Sequence, residues 1–398
     1  MPFPGRSKAL PTSVVLLVYA FAVAAALLWI GAFVAPHATV FPAGPNYADI
    51  TVYKGRFTLY HTARFFTSKA YSGFAYPAGA AVLYELFYKT GDATTTYLVL
   101  SAIGVLAGTG VALWLLAQAG ALKLAAPLAL ATSFPLVFLI QRANIELLLW
   151  LLIAAGILMA WRGWSIPAAI LFGIGFAIKL YPILLLGLFL RRRRDLPAFA
   201  IGVVSAILAM GFAIAHAGPT FSIAAQGFFT GIDRFQNHYV DTVSKVEIAF
   251  DHCLFSPFKY LAYLDHESPA PWRATYYLVA ATLAILIFLR VRTLPFLNVL
   301  IFLTGAMVAL PPVSFSYTLV HLELPLVLLL AALAGPRLRA SFTAMLALAL
   351  LLALMLPLPA LHALGVVPTG PLASVLLAAL LLATALQPWP SGTPADGA

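Results

Sequence analysis

Residues 166–194 read IPAAILFGIGFAIKLYPILLLGLFLRRRR, and the class of fold turns on how this stretch meets a membrane. The apolar part, 166–190, is 25 residues long and is interrupted at Ile178-Lys179-Leu180-Tyr181-Pro182. One straight helical span takes about 20 residues to cross roughly 30 Å of hydrocarbon, so 25 is long for one span and short for two. Either a single tilted helix buries Lys179 at mid-membrane, or two short helices, 166–178 and 182–190, meet near the outer surface. The second reading keeps the arginines at 191–194 on the inner side. It also sets Lys179 beside proline-broken backbone, which membranes tolerate where it lines a cavity. Interfacial anchoring by Lys179 and Tyr181 is the plainer alternative for that pair.

The rest of the chain extends this pattern. It is 63% hydrophobic and 9% charged over 398 residues, against about 45–50% and 25% in ordinary soluble domains. Apolar runs recur at 13–34, 94–117, 124–140, 144–161, 166–178, 182–190, 197–216, 273–290, 295–311, 317–334, 341–356 and 371–387. Backbone groups at that depth must be satisfied internally, so the fold class is all-α integral membrane, a polytopic bundle of about 12 transmembrane helices. The run at 13–34 exceeds the usual signal-peptide core of about 7–15 residues and is read as an uncleaved first helix. One domain spans 1–387, and the polar tail 388–398 is expected to be disordered and cytoplasmic. Two connections are too long to be mere links. The first external segment, 35–93, carries an amphipathic piece at 76–89 expected to lie along the membrane surface. The second, 217–272, is rich in aromatic, acidic and histidine residues. No internal repeat of the kind common in transporters is evident.

Charge follows the same topology. The formal net charge is +10, yet the basic residues form no continuous stripe, which speaks against a nucleic-acid partner. With a cytoplasmic N-terminus they fall in the inner loops: Arg6 and Lys8, Lys123, Arg162, 191–194, Arg290 and Arg292, Arg337 and Arg339. This is the positive-inside pattern of a multi-pass plasma-membrane protein with both termini cytoplasmic. All acids except Asp195 and Asp396, and all eight histidines, fall outside or near outer helix ends, so function is sought on the external face. The lone cysteine, Cys253, excludes an intramolecular disulfide and reads as packing.

Four places carry candidate chemistry. Asp49, in Asn46-Tyr47-Ala48-Asp49-Ile50, is placed to act as a general base toward a hydroxyl, or else is a solvated loop residue or helix cap. In Gln141-Arg142-Ala143-Asn144-Ile145-Glu146, Arg142 and Glu146 are spaced i, i+4, as a structural ion pair or as a phosphate site with its counter-charge. Lys179 is suited to neutralise an anionic lipid headgroup. His321 opens a helix after Ser314-Phe315-Ser316-Tyr317, where neutral packing is the usual outcome for histidine and Ser316, Tyr317 and Glu323 suggest a polar lining. No zinc-site spacing, P-loop or dinucleotide fingerprint is present. No cofactor is expected, although Asp233, Asp241, Glu247 and Asp251 are available to a divalent metal.

Taken in order, Asp49-Ile50-Thr51-Val52-Tyr53, Phe74-Ala75-Tyr76-Pro77, Gln141-Arg142-Ala143-Asn144, Ala177-Ile178-Lys179-Leu180-Tyr181-Pro182 with its arginine cluster, and Ser314-Phe315-Ser316-Tyr317 with His321 resemble glycosyltransferase family 87. That family comprises polyprenyl-phosphate-sugar-dependent enzymes of the GT-C fold and includes α-mannosyltransferases. The resemblance spans residues 1 to about 335. It implies a polyprenyl-phosphate sugar donor, a lipid-linked or glycan acceptor, and direct displacement with inversion. Asp49 would then be the base, and Arg142 and Lys179 would hold the departing phosphate. His321, Tyr181, Asn144, Glu146 and Tyr76 would position substrates, with no metal among the site ligands. This chain has Tyr76-Pro77-Ala78 where members often have a double proline, and Gln141-Arg142 where they often have a Gly-Gln type motif, which leaves the sugar open between mannose and others. A transporter or flippase of a lipid-linked saccharide is the alternative, but it would place its acids near the midplane.

Overall fold

The computed structural model describes residues 47–68, 74–118, 133–334, 341–363 and 368–389. The expected first helix at 13–34 lies outside these, as do most of the tail and the start of the run at 124–140. Regular structure among the described residues is helical, with one isolated bridge joining Asp251 and Phe315. In chain order the longer helices are α1 (Ala78–Lys89), α2 (Ala93–Gln118), α3 (Phe134–Arg142), α4 (Glu146–Trp161) and α5 (Ser165–Ile178). After a 3₁₀ segment at Tyr181–Leu190 come α6 (Leu196–Ala217), α7 (Phe221–Phe235), α8 (Ser256–Leu264), α9 (Arg273–Arg290) and α10 (Phe296–Ala309). A 3₁₀ turn at Ser316–Leu322 leads into α11 (Glu323–Ala334), followed by α12 (Phe342–Leu354) and α13 (Thr369–Leu386).

Local sequence sets these boundaries. Ser133 caps α3 by accepting the Leu136 amide, and Thr220 caps α7 by accepting that of Ile223. Prolines stand at the residue before or within the first turn of α1, α3, α6, α8 and α10, where a missing N–H costs no hydrogen bond.

Five helices among the described residues are long and apolar enough to cross a membrane, and five further apolar helices have 10–17 residues. Their burial divides the labour. The α10 and α11 helices are buried along almost their whole length and form the core. By contrast α2, α6 and α9 expose large apolar side chains, among them Leu106 at 72%, Phe212 at 68% and Phe288 at 69%. An aqueous solvent would penalise such faces by about 25 cal/mol per Å², whereas hydrocarbon would not, so these helices face lipid.

The 166–190 stretch is a hairpin of two short helices, the second of the two readings open to the sequence. Lys179 ends α5 in extended conformation (φ −145°, ψ 141°). The chain then returns so that Phe172 and Phe189 lie ring to ring at 6.1 Å, while Ser165 donates to Asp195 at 2.9 Å. The arginines after the hairpin therefore come back to the 162–165 turn. Arg191 donates to the Leu294 carbonyl, Arg292 to that of Leu190, and Arg290 to those of Ala385 and Leu386. Basic turns thus gather at one end of the bundle and Lys179 marks the other.

The 217–272 segment is mostly helical and is fastened by a buried ion pair. Asp251 accepts from Lys259 at 2.8 Å, and both residues are at most 1% exposed. Asp251 also accepts the Ser314 and Cys253 amides, and Lys259 donates to the Tyr239 carbonyl. Next to this pair His252 sits 3.2 Å from both Ser314 Oγ and Thr318 Oγ1, and burial lowers its pKa to about 4. The Lys259→Met variant leaves Asp251 uncompensated in the interior and is expected to cost about 3–5 kcal/mol. Thermal melting in detergent should show the loss, with most of it recovered in Lys259→Met/Asp251→Asn.

Trp389, within the stretch read as a tail, is fully buried, its amide donating to Asn298 Oδ1 and its indole N–H to Thr343 Oγ1; residues 390–398 lie outside the described residues. An indole brings a large apolar surface with one donor, and both are satisfied here.

Candidate active site

The eight side chains given site roles by the family resemblance fall into one connected network at the end of the bundle marked by Lys179. Tyr47 is the first anchor: its amide donates to the Gln141 carbonyl at 2.8 Å, laying the short helix Ala48–Thr51 against the end of α3. From the other side the Tyr88 hydroxyl donates to the Ile50 carbonyl at 2.5 Å. Asp49, 8% exposed, is thereby held between Arg142, which donates to its Oδ1, and Asn144, which donates to its Oδ2 at 2.7 Å. The same Asn144 amide nitrogen stands 3.1 Å from the Tyr76 hydroxyl.

Tyr76 links this half to the next. Lys179 Nζ lies 4.5 Å from the centre of its ring, a cation–π arrangement. The approach depends on Gly79 at the start of α1, where a Cβ would stand 2.5 Å from the Ala177 carbonyl oxygen. Glu146, fully buried, then collects Lys179 at 3.4 Å on Oε2, and His321 at 2.5 Å together with the Tyr181 hydroxyl on Oε1. At 3.4 Å the lysine contact is a loose ion pair, and Oε2 has no hydrogen bond. With Nε2 donating to the carboxylate, His321 Nδ1 is left without a partner.

The i, i+4 pairing of Arg142 with Glu146 does not form. Ala143 adopts left-handed backbone (φ 51°, ψ 47°), which ends α3 and starts α4 afresh. Such a conformation costs a non-glycine residue about 1 kcal/mol or more. It is held by Asn144, whose Oδ1 accepts the Glu146 amide while Nδ2 reaches Asp49. The break sends Arg142 to Asp49 and Glu146 to Lys179, so each acid meets its own cation. Two other expected neighbours also diverge. Glu323 turns away from His321 to accept from Ser133 at 2.5 Å, and Ser316 donates to the Phe250 carbonyl. Tyr317, named with Ser316 and Glu323 as polar lining, is buried, with its ring 5.9 Å from that of Phe138.

Among the acids considered for a metal, Asp241 pairs with Arg273 and Asp251 with Lys259, so neither joins the other. The group of described residues with metal-ligand geometry is a different one, His61, Glu85 and His216. Cavities also lie away from the network. One of about 660 Å³ opens at the basic end, beside Arg191, Arg192 and Arg194, and an apolar one of about 220 Å³ lies between α2, α4 and α11.

In chemical terms the network offers a carboxylate with lone pairs to spare, since an ionised Asp has about four acceptor positions and two are used. Beside it stand two cations at separate helix ends, Arg142 at the end of α3 and Lys179 at the end of α5. A family model for glycosyltransferase family 87 matches residues 74–312, more than half the chain. The match takes in Tyr76, Arg142, Asn144, Glu146, Lys179 and Tyr181, while Asp49 and His321 lie on either side of it. No curated protein matches the chain. Between transferase and carrier the family match decides, and the chain belongs to glycosyltransferase family 87 as a membrane enzyme that transfers sugars.

Proposed function

We propose that the protein takes a sugar, mannose first among the candidates, from a polyprenyl-phosphate donor and passes it to a lipid-linked or periplasmic acceptor. The reading rests on one observation: eight polar residues from five separate segments meet in a single network containing two acids and two cations. In the reaction the acceptor oxygen attacks the anomeric carbon as the bond to the phosphate oxygen breaks, inverting that centre. The acceptor proton goes to Asp49, and the bonding electrons leave on the lipid phosphate. A lipid phosphate departs readily only where fixed cations meet its developing charge.

Charge balance assigns the cations different parts. Without substrate the network already pairs Asp49 with Arg142 and Glu146 with Lys179. The phosphate adds negative charge, so one pair has to yield. The loose one is Lys179–Glu146, since Glu146 keeps His321 and Tyr181 when the lysine turns away. Arg142 stays on Asp49 through one nitrogen and, 29% exposed, retains further N–H groups for the phosphate. His321, Tyr181, Asn144, Glu146 and Tyr76 hold these groups in register. The surrounding architecture in this reading is a twelve-span GT-C bundle, with cytoplasmic termini and basic turns and an external active site. The displacement itself uses no metal.

The decisive assay reconstitutes the purified chain with radiolabelled polyprenyl-phosphate mannose, the corresponding glucose and galactose donors, and nucleotide sugars, each with a pool of lipid-linked glycan acceptors. Transfer is expected from a polyprenyl-phosphate donor and not from any nucleotide sugar. The opposite preference would remove the proposed donor class.

A further inference from the structure

Away from the active-site network, three side chains converge where the first long segment meets α1 and the end of α6. Glu85 on α1 is 8% exposed at its side chain, with His61 Nε2 at 2.8 Å from Oε1 and His216 Nε2 at 2.9 Å from Oε2. The three potential ligand atoms all lie within 4.8 Å of one another. Lys89, one turn along α1, also contacts Oε1 at 2.8 Å, but its side chain is 65% exposed and free to be solvated instead.

The hydrogen bonding of His61 sets its tautomer. Its Nδ1 stands 2.8 Å from the His216 carbonyl oxygen. A carbonyl only accepts, so Nδ1 carries a proton, and in a neutral imidazole Nε2 is then a bare lone pair. That lone pair points at a carboxylate oxygen, which is also only an acceptor. Two lone pairs at 2.8 Å repel unless a proton or a metal ion stands between them. A proton would require an imidazolium, while a metal relieves the contact with histidine neutral and engages His216 as well. Histidine whose second nitrogen bonds a backbone carbonyl is the usual second-shell arrangement of a metal ligand. The backbone adds to this: His61 holds a left-handed conformation (φ 65°), which a side chain fixed on both ring nitrogens helps to maintain.

We propose that His61 Nε2, Glu85 and His216 Nε2 bind one divalent ion of the zinc type, which fastens the first long segment to α1 and α6. Two histidines and a glutamate are a known zinc donor set, with a fourth position left to water. Four-coordinate bonds of about 2.0–2.1 Å put ligand atoms roughly 3.3 Å apart, so the 2.8 and 2.9 Å contacts to Glu85 open by about half an ångström when the ion enters. An open fourth position is the pattern of catalytic zinc; here the ion would stand apart from Asp49, Arg142 and Lys179, and the role proposed is to fasten the three segments together. Glu85 lies about 10 Å along α1 from its first residue, next to Tyr76-Pro77, so the ion would steady the helix that presents Tyr76 without touching the reacting atoms.

The test needs no sugar transfer. The detergent-solubilised full chain is stripped with EDTA, titrated with Zn²⁺ against a competing chelator, and its metal content is measured by mass spectrometry. One zinc per chain is expected, with a rise in melting temperature. Losing an outer-shell partner typically weakens binding roughly 10–100-fold, so His61→Ala, His216→Ala and Glu85→Gln should each weaken it by about a hundredfold or more. His238→Ala, an exposed histidine elsewhere, should leave it unchanged. The proposal is overturned if the stripped wild-type chain binds no stoichiometric zinc, a result independent of how the variants fold. It is equally overturned if the His61→Ala/His216→Ala chain binds zinc as tightly as the wild type.

Discussion

Asp49→Asn should lower turnover about a thousandfold while leaving the donor KM within a fewfold of the wild type. General-base catalysis contributes roughly 10²–10⁴-fold, and a neutral amide removes all of it. Because the base acts on the acceptor hydroxyl, donor binding through Arg142 and Lys179 should persist, so the loss falls on kcat. Folding is a separate question. Asparagine at 49 has one acceptor oxygen for two donors, Arg142 and Asn144, and Asn144 cannot simply turn over, because its Oδ1 holds the Glu146 amide. One hydrogen bond is lost, a cost of about 1–3 kcal/mol. Melting temperature is therefore read beside activity, and Asp49→Glu serves as the charge-preserving comparison. If the Asn variant turns over at the wild-type rate, another group takes the proton.

What the sequence made legible was periodicity and composition, and what it hid was geometry at chain breaks. The boundaries of α9 and the hairpin at Lys179 follow from where apolar runs stop, because burial in lipid leaves few alternatives. The ion-pair reading of Arg142 and Glu146, one of two left open by their spacing, does not hold for a specific reason: i, i+4 spacing implies contact only on a continuous helix, and Ala143 is left-handed. The gap between the apolar runs 124–140 and 144–161 marks a break there, but not which way it turns Arg142 and Glu146; that is set by Asn144, which accepts the Glu146 amide and reaches Asp49, far away in sequence. The His61, Glu85 and His216 cluster was equally invisible, since its members come from three distant segments and match no motif spacing. Trp389 shows the same limit at the tail. A polar, proline-rich end looks unstructured until Asn298 and Thr343 supply partners for its amide and indole.

The Lys179 assignment faces a rival reading in which the lysine only balances a buried acid, and a double-mutant cycle separates the two. Lys179→Met leaves Glu146 charged, fully buried and short of its cation, with His321 and Tyr181 as remaining partners. Such an unbalanced charge costs about 3–5 kcal/mol, so this variant should melt early and lose activity on either reading. Lys179→Met/Glu146→Gln removes the charge along with its partner, and stability should return close to the wild-type value, because the amide can still bond His321 and Tyr181. Activity should not return. If Lys179 meets the leaving phosphate, the double variant still lacks that cation, and a single electrostatic donor of this kind is worth roughly 10²–10³ in kcat. A double variant that is both stable and fully active would reduce Lys179 to a counter-charge and leave Arg142 as the sole cation for the phosphate. The loose 3.4 Å contact favours the first outcome: a lysine kept only to neutralise Glu146 would be expected at full hydrogen-bonding distance, as Lys259 is to Asp251.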